Sequence, residues 1–140
     1  MKNDSGFTII ELIMVIATIG ILAFVAISKY PTTEISLGTA PDMIKSDIRS
    51  VQALAMGRRA SESLTFISST QYSFPKLGGG NETRDLNSIF RGQISLSAYP
   101  AAITFNSLGE PTAGYGSSIT ITTGSSSRTL TVLQYTGKVQ

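Results

Sequence analysis

The stretch from Phe7 to Ser28 reads FTIIELIMVIATIGILAFVAIS and is apolar almost throughout. A run of this length has no face to offer water, so something apolar must cover it. As a helix it spans roughly 33 Å, enough to cross a bilayer. Lys29 and Tyr30 follow it, where amphipathic anchors belong. Before it stands the short polar segment Met1 to Gly6, with Lys2 as its basic side chain. A secretory signal peptide is the competing reading. The apolar run exceeds the usual h-region, and Phe24 occupies the outer position of the small-residue pair that cleavage before residue 27 would need. Lys2 and Lys29 lie on opposite sides, with Asp4 and Glu34 nearby, so loop charge does not set an orientation.

The remaining sequence is rich in Ser, Thr and Gly, and its apolar residues are spaced as in a small core. At 140 residues the chain allows one domain beside the apolar helix. Cysteine and histidine are both absent, which removes disulfides, thiolate sites, and the commonest general base and metal ligand. The net charge of +2 comes from interleaved acids and bases, so no long run of like charge demands an oppositely charged partner.

Pro31, Gly38 and Pro41 read as a breaker region, and Thr39-Ala40-Pro41-Asp42 as a helix start. Ile44, Ile48, Val51 and Ala55 then recur at spacings of 4, 3 and 4, with Lys45, Asp47, Arg49 and Gln52 between them. The spacing predicts an amphipathic helix from about Thr39 to Ser61. From Leu64 the pattern becomes short β segments, at Leu64–Ile67, Gln71–Phe74, Ile94–Leu96 and Ala102–Phe105. A C-terminal hairpin pairs Ile119 and Ile121 with Leu130 and Val132 across a loop at Thr123–Ser127. Turns are expected at Gly78-Gly79-Gly80-Asn81, Gly109-Glu110-Pro111 and Gly114-Tyr115-Gly116. Helices followed by a run of strands indicate an α+β fold, with a long N-terminal helix set against an antiparallel sheet.

Glu11 is the costly residue. A carboxylate at a bilayer centre carries a penalty of roughly 2.5 to 3.5 kcal/mol, less near a helix end. Such a group needs a partner. Cleavage after Gly6 would create an α-amino group on Phe7, cationic at neutral pH. Within one helix that amine and Glu11 lie about one turn apart. Between staggered neighbouring helices the same pairing would fix the axial register. Ala17, Gly20, Ala23 and Ala26 recur every third residue, which would let another helix approach closely; a lipid-facing helix with incidental small residues is the competing reading, since that spacing drifts around the helix.

Gly6-Phe7-Thr8-Ile9-Ile10-Glu11 opening an apolar helix resembles the processing signature of type IV prepilins and of the pseudopilins of type II secretion. Further along, the stretches from Ile103 to Pro111, Ile119 to Ile121 and Thr129 to Val132, with the ending Thr136-Gly137-Lys138-Val139, resemble the GspH/FimT group of minor pilins and pseudopilins, as does Asp47 to Ala60. The resemblance implies cleavage by prepilin peptidase between Gly6 and Phe7, N-methylation of Phe7, and pairing of Glu11 with the N-terminus of an adjacent subunit. It implies a leader at 1–6, a transmembrane and filament-core helix at 7–28, and an amphipathic helix with a β-sheet head at 29–140. The precursor would sit in the cytoplasmic membrane as a single-pass protein, with its head on the periplasmic or extracellular side, and then join a pilus or pseudopilus among other pilin subunits. The paired cysteines of many major pilins are missing here, which speaks against a major pilin.

Two other classes are weighed against this. Some FimT-like minor pilins of DNA-uptake systems bind DNA through a basic C-terminal tail. Here Arg128 and Lys138 are the candidate DNA contacts, but Gln140 stands where another cation would help, and two charges make a thin patch. For an enzyme, only a Ser-Lys dyad or paired carboxylates would remain without His or Cys, and neither forms a motif. Asp42 and Asp47 are five apart and do not share a helix face. Gly78–Gly80 lacks the Gly-Lys-Ser/Thr of a phosphate loop. Arg58 and Arg59 read as a solvated helix end whose cations cap carbonyls. No enzymatic activity, cofactor or metal is expected.

Overall fold

The computed structural model describes residues 8–28, 32–91 and 93–140. The chain divides into two compact units, Met1–Thr32 and Thr33–Gln140. In the first, helix α1 runs over Ile9–Ser28. Its stretch Ile9–Ala26 is long and apolar enough to cross a membrane, and none of it is buried within the chain.

The second unit is built on helix α2, Thr32–Arg58. This helix starts well before the expected Thr39 and carries Pro41 within it. Pro41 lacks the N–H that would reach the carbonyl of residue 37, a defect that disfavours a helix interior. Packing explains why the helix continues. Ala40 and Ile44 are fully buried and Leu37 packs against the same core, so the apolar stripe extends through the proline. The burial of these side chains outweighs the local preference, as tertiary contacts commonly do. The helix ends at Arg58 rather than Ser61. Arg59 takes a left-handed conformation (φ 52°), the Arg59 N–H donates to the Met56 carbonyl, and the Ala60 N–H donates to that of Ala55. This double closure is a Schellman ending, built here on arginine instead of the favoured glycine.

Among the described residues eight strands follow: β1 Glu62–Ser68, β2 Gln71–Pro75, β3 Asn81–Asp85, β4 Ser95–Ala98, β5 Ala102–Phe105, β6 Pro111–Ala113, β7 Ser118–Thr123 and β8 Ser126–Thr131. A short helical turn, α3, Leu86–Ile89, follows β3. One antiparallel sheet has the order β3-β2-β1-β5-β6, and a second has the order β4-β7-β8. Each expected strand overlaps an observed one, and the C-terminal hairpin is tighter than its expected loop, with Thr123 paired to Ser126 and Ile121 to Arg128; Val132, expected in its second strand, instead bridges Val139. Strands β3 and β6 were not expected. The polar sequence of β3 shows no alternation, and it is recruited by pairing with β2 across the glycine loop at 78–80. Strand β6 is three residues long and begins at Pro111, within an expected turn.

Alternation sorts the strands. Leu64, Phe66, Tyr72, Phe74, Ile103, Phe105, Ile119, Ile121 and Leu130 face the α2 stripe in one buried core. Hydroxyl pairs sit between strands on partly exposed positions, Ser63 with Thr104 at 2.9 Å and Ser95 with Thr122 at 3.0 Å. That division accounts for the Ser/Thr-rich composition, since small polar side chains are what a solvated β face requires.

Two polar links tie the middle of α2 to the rest of the head. Asp47, expected among the polar residues between apolar positions, is instead buried. Its Oδ2 accepts from the Tyr72 hydroxyl at 2.7 Å and from Arg84 Nε at 3.2 Å. Tyr72 and Arg84 stand opposite each other in the β2–β3 register, so one helix carboxylate reaches both strands. The Arg84 guanidinium also lies 5.5 Å from the centroid of the Phe74 ring. The second link is Gln52, whose Nε2 donates to the carbonyls of Gly109 at 2.7 Å and Thr136 at 3.0 Å. Gly137 lies against it with φ +64°. A Cβ there would sit 2.7 Å from Gln52 Nε2 and 2.7 Å from Phe105 Cε1.

Gly137→Ala therefore combines a disfavoured backbone with a clash. It is expected to destabilise the protein by about 2–4 kcal/mol, read as a lowered urea midpoint. Tyr72 supplies a test with a definite sign. Burial, reinforced by the hydrogen bond to Asp47 and its negative charge, raises the phenol far above its ordinary value of 10.0. The folded protein then holds a proton that the unfolded chain releases above pH 10, so this contribution to stability is full below that pH and lost as pH rises. Tyr72→Phe should cost about 2 kcal/mol near neutrality, where a bond to a charged acceptor is lost. The gap from the unaltered protein should close by up to about 1.4 kcal/mol per pH unit above about pH 10, measured by urea unfolding across that range.

Candidate functional site

Helix α1 begins with a reciprocal cap. Thr8 precedes the first helical residue, Ile9. The Thr8 N–H donates to Glu11 Oε2 at 3.1 Å, and the Thr8 hydroxyl lies 3.1 Å from the same oxygen. The Glu11 N–H in turn approaches Thr8 Oγ1 at 3.3 Å. This is a capping box, in which a threonine and a glutamate three residues on satisfy each other's backbone donors. The arrangement aims Glu11 back toward the helix start, where the positive end of the helix dipole favours an anion. The signal in the sequence is Thr8-Ile9-Ile10-Glu11, a threonine three residues before a glutamate at a helix start, which gives Thr8 a role beyond the charge of Glu11.

The bonds to Glu11 use Oε2 alone. Among the described residues Oε1 makes no hydrogen bond. The carboxylate is thus positioned and still has an oxygen to offer a cation. Gly6 and Phe7, the expected processing site, lie outside the described residues.

Past the cap, α1 is a surface without a cover. Every large apolar side chain from Ile9 to Val25 is exposed, with Ile9 at 80% and Phe24 at 74%. Transfer of each such side chain from water into an apolar setting stabilises by about 2 kcal/mol. Gly20 has open space where a Cβ would stand, so among the described residues nothing requires a small residue there. Thr18 does not break the apolar surface, because its hydroxyl donates to the Val15 carbonyl at 2.9 Å.

The other candidates are dispersed. Arg128 lies exposed on β8. Lys138 lies opposite Leu133, whose N–H donates to the Lys138 carbonyl, after Thr131 has paired with Gln140. Arg128 stands opposite Ile121 near the β7–β8 turn, and Lys138 stands on the segment that pairs back onto residues 131–133. Arg58 does not cap its own helix; it pairs with Glu62 at 2.8 Å and donates to the carbonyls of Lys76 and Leu77, tying the helix end to β1 and to the β2–β3 loop. Asp42 is exposed, whereas Asp47 serves Tyr72 and Arg84, so the two do not act as a carboxylate pair. Among the described residues no three His, Cys, Asp or Glu side chains gather where a metal ion would bind.

No protein-family model matches the sequence, and no curated protein matches it. Solved structures do match in fold. The type IV minor pilin FimU of Pseudomonas aeruginosa superposes with a TM-score of 0.61 at 16% identity, covering 78% of this chain and 90% of that one. A second crystal form of FimU gives a TM-score of 0.57 at 14% identity, covering 74% of this chain and 90% of that one. An apolar N-terminal helix followed by a second helix and antiparallel sheets is thus an α+β arrangement similar to that of a type IV minor pilin.

Proposed function

We propose that this chain is a structural subunit, a minor pilin or pseudopilin, of a type IV pilus or a type II secretion pseudopilus. The observation that carries this reading is the uncovered apolar helix α1, opening on a capped and half-satisfied carboxylate, in a chain whose fold is similar to that of FimU. A helix of this kind needs lipid in one state and other helices in another, and a filament core supplies the second.

In this proposal residues 1–6 are a leader and residues 7–28 anchor the precursor in the cytoplasmic membrane. Residues 29–140 carry the head on the periplasmic or extracellular side. Prepilin peptidase cuts between Gly6 and Phe7, and Phe7 is N-methylated. The new ammonium of one subunit then meets Glu11 of its neighbour. Thr8 keeps the Glu11 carboxylate at the helix start, and the unused Oε1 is available to that cation. The pair satisfies two charges that are each costly in an apolar layer, and it sets the axial register of the helices. The role is structural, and nothing in the arrangement calls for a cofactor.

The first test is the intact mass and N-terminal sequence of the protein made with and without prepilin peptidase. The expected product is a chain beginning at methylated Phe7, only when the peptidase is present. A chain that keeps Met1 to Gly6 in both cases would sink the reading. The second test is Glu11→Ala. It should leave cleavage intact but reduce incorporation into sheared filaments or pseudopili by tenfold or more, about the 1.4 kcal/mol loss of a weak buried ion pair. Normal incorporation of that variant would remove the role given to Glu11.

A further inference from the structure

A cleft of about 350 Å³ opens on the head beside β6. Glu110 and Thr112 come to it from the β5–β6 side, Gln134 and Tyr135 from the C-terminal turn, and Tyr115 from the loop after β6. Tyr135 is 83% exposed and Tyr115 40%, an unusual cost for two aromatic rings around one opening. Gln134, Tyr115 and Tyr135 bring an amide and two phenols to the lining.

The cleft is built in advance. Gln52 Nε2 donates to Gly109, which precedes Glu110, and to Thr136, which follows Tyr135. One amide therefore ties the two contributing turns from behind. Gly137 packs against that amide without room for a Cβ, which fixes the turn that presents Gln134 and Tyr135. Asn106 Nδ2 donates to Glu110 Oε2 at 2.9 Å and restrains the carboxylate. A site held this way loses little conformational freedom on binding.

The chemistry selects the ligand. Glu110 is the one charged side chain in the lining, so a phosphate or other anion meets repulsion. A wholly apolar ligand would strip water from Glu110 and Gln134 without replacing it. A lysine or arginine side chain would suit Glu110 and the ring faces, but it brings no acceptor for the amide and phenol donors. A neutral polyhydroxylated ring meets every demand. Its C–H face lies on a tyrosine ring, and its hydroxyls donate to Glu110 and exchange bonds in both directions with Gln134 and the phenols. From this geometry we infer that the cleft between Glu110 and Tyr135 is a binding site for a neutral oligosaccharide of hexopyranose rings. The inference concerns the head and does not depend on filament assembly.

The test uses the full chain in a zwitterionic detergent without a sugar headgroup. Amide nitrogen–proton spectra are recorded while cellotetraose, maltotetraose and chitotetraose are each added to about 10 mM, tenfold above a roughly millimolar Kd. The expected result is saturable shifts at residues 110–115 and 134–136 with at least one of the three sugars. Tyr135→Ala and Glu110→Gln, both at exposed positions, should weaken that binding about tenfold while leaving the rest of the spectrum in place. Three outcomes would overturn the inference. The cleft is silent to all three sugars; the shifts survive Tyr135→Ala unchanged; or a lysine-rich peptide or short DNA moves these residues and no sugar does.

Discussion

Helix α1 is apolar almost throughout, and this constraint governs what the molecule can be. Water is a poor solvent for Ile9 to Val25, so the helix is stable only where lipid or other helices surround it. That single requirement separates the chain into a part that seeks an apolar medium and a part, residues 33–140, with a core of its own. The head meets no such requirement, because it has a continuous core of its own, built from the α2 stripe and the inner faces of the two sheets.

The two carboxylates in charge-hostile positions are treated in opposite ways, and the contrast separates structure from interaction. Asp47 is buried, yet it has a phenol and a guanidinium aimed at it from adjacent strands. It is consumed by the fold, and its loss would leave two polar partners stranded. Among the described residues, Glu11 is exposed and is held by Thr8 alone, through one of its oxygens. A group that is positioned but incompletely satisfied, at the start of a helix that must leave water, is a group with binding capacity to spare.

Much of this was legible in the sequence where a strong local pattern met no competing demand. The apolar run, the 4-3-4 stripe through Ala55 and the alternation at Ile119 and Ile121 each correspond to an element of the structure. The start of α2 was missed because Pro41 reads as a breaker, while the signal for continuation, Leu37 and Ala40 on the same stripe, is weak until the sheet that buries them is present. Strand β3 was invisible because its partner defines it. Its polar residues carry no alternation of their own, and it exists by pairing with β2. Asp47 and Gln52 looked like solvent-facing polar residues, since their partners lie 25 to 84 positions away. The Thr8–Glu11 cap was readable and was overlooked, because the charge of Glu11 already had an explanation.

The surface of the head has a consequence for specificity. Exposed strand positions are largely serine and threonine, as along β8, where Ser126, Ser127 and Thr129 face solvent. Hydroxyls of this kind are well solvated and discriminate weakly between partners, because what they offer a ligand water offers equally. Discrimination requires large side chains, and Tyr115 and Tyr135 stand together at the cleft whose two turns Gln52 joins. The same amide that joins α2 to both turns also sets the spacing between Glu110 and Tyr135. Changes in the helix register would be felt at the cleft, so the packing that stabilises the head and the geometry that gives it selectivity share one side chain.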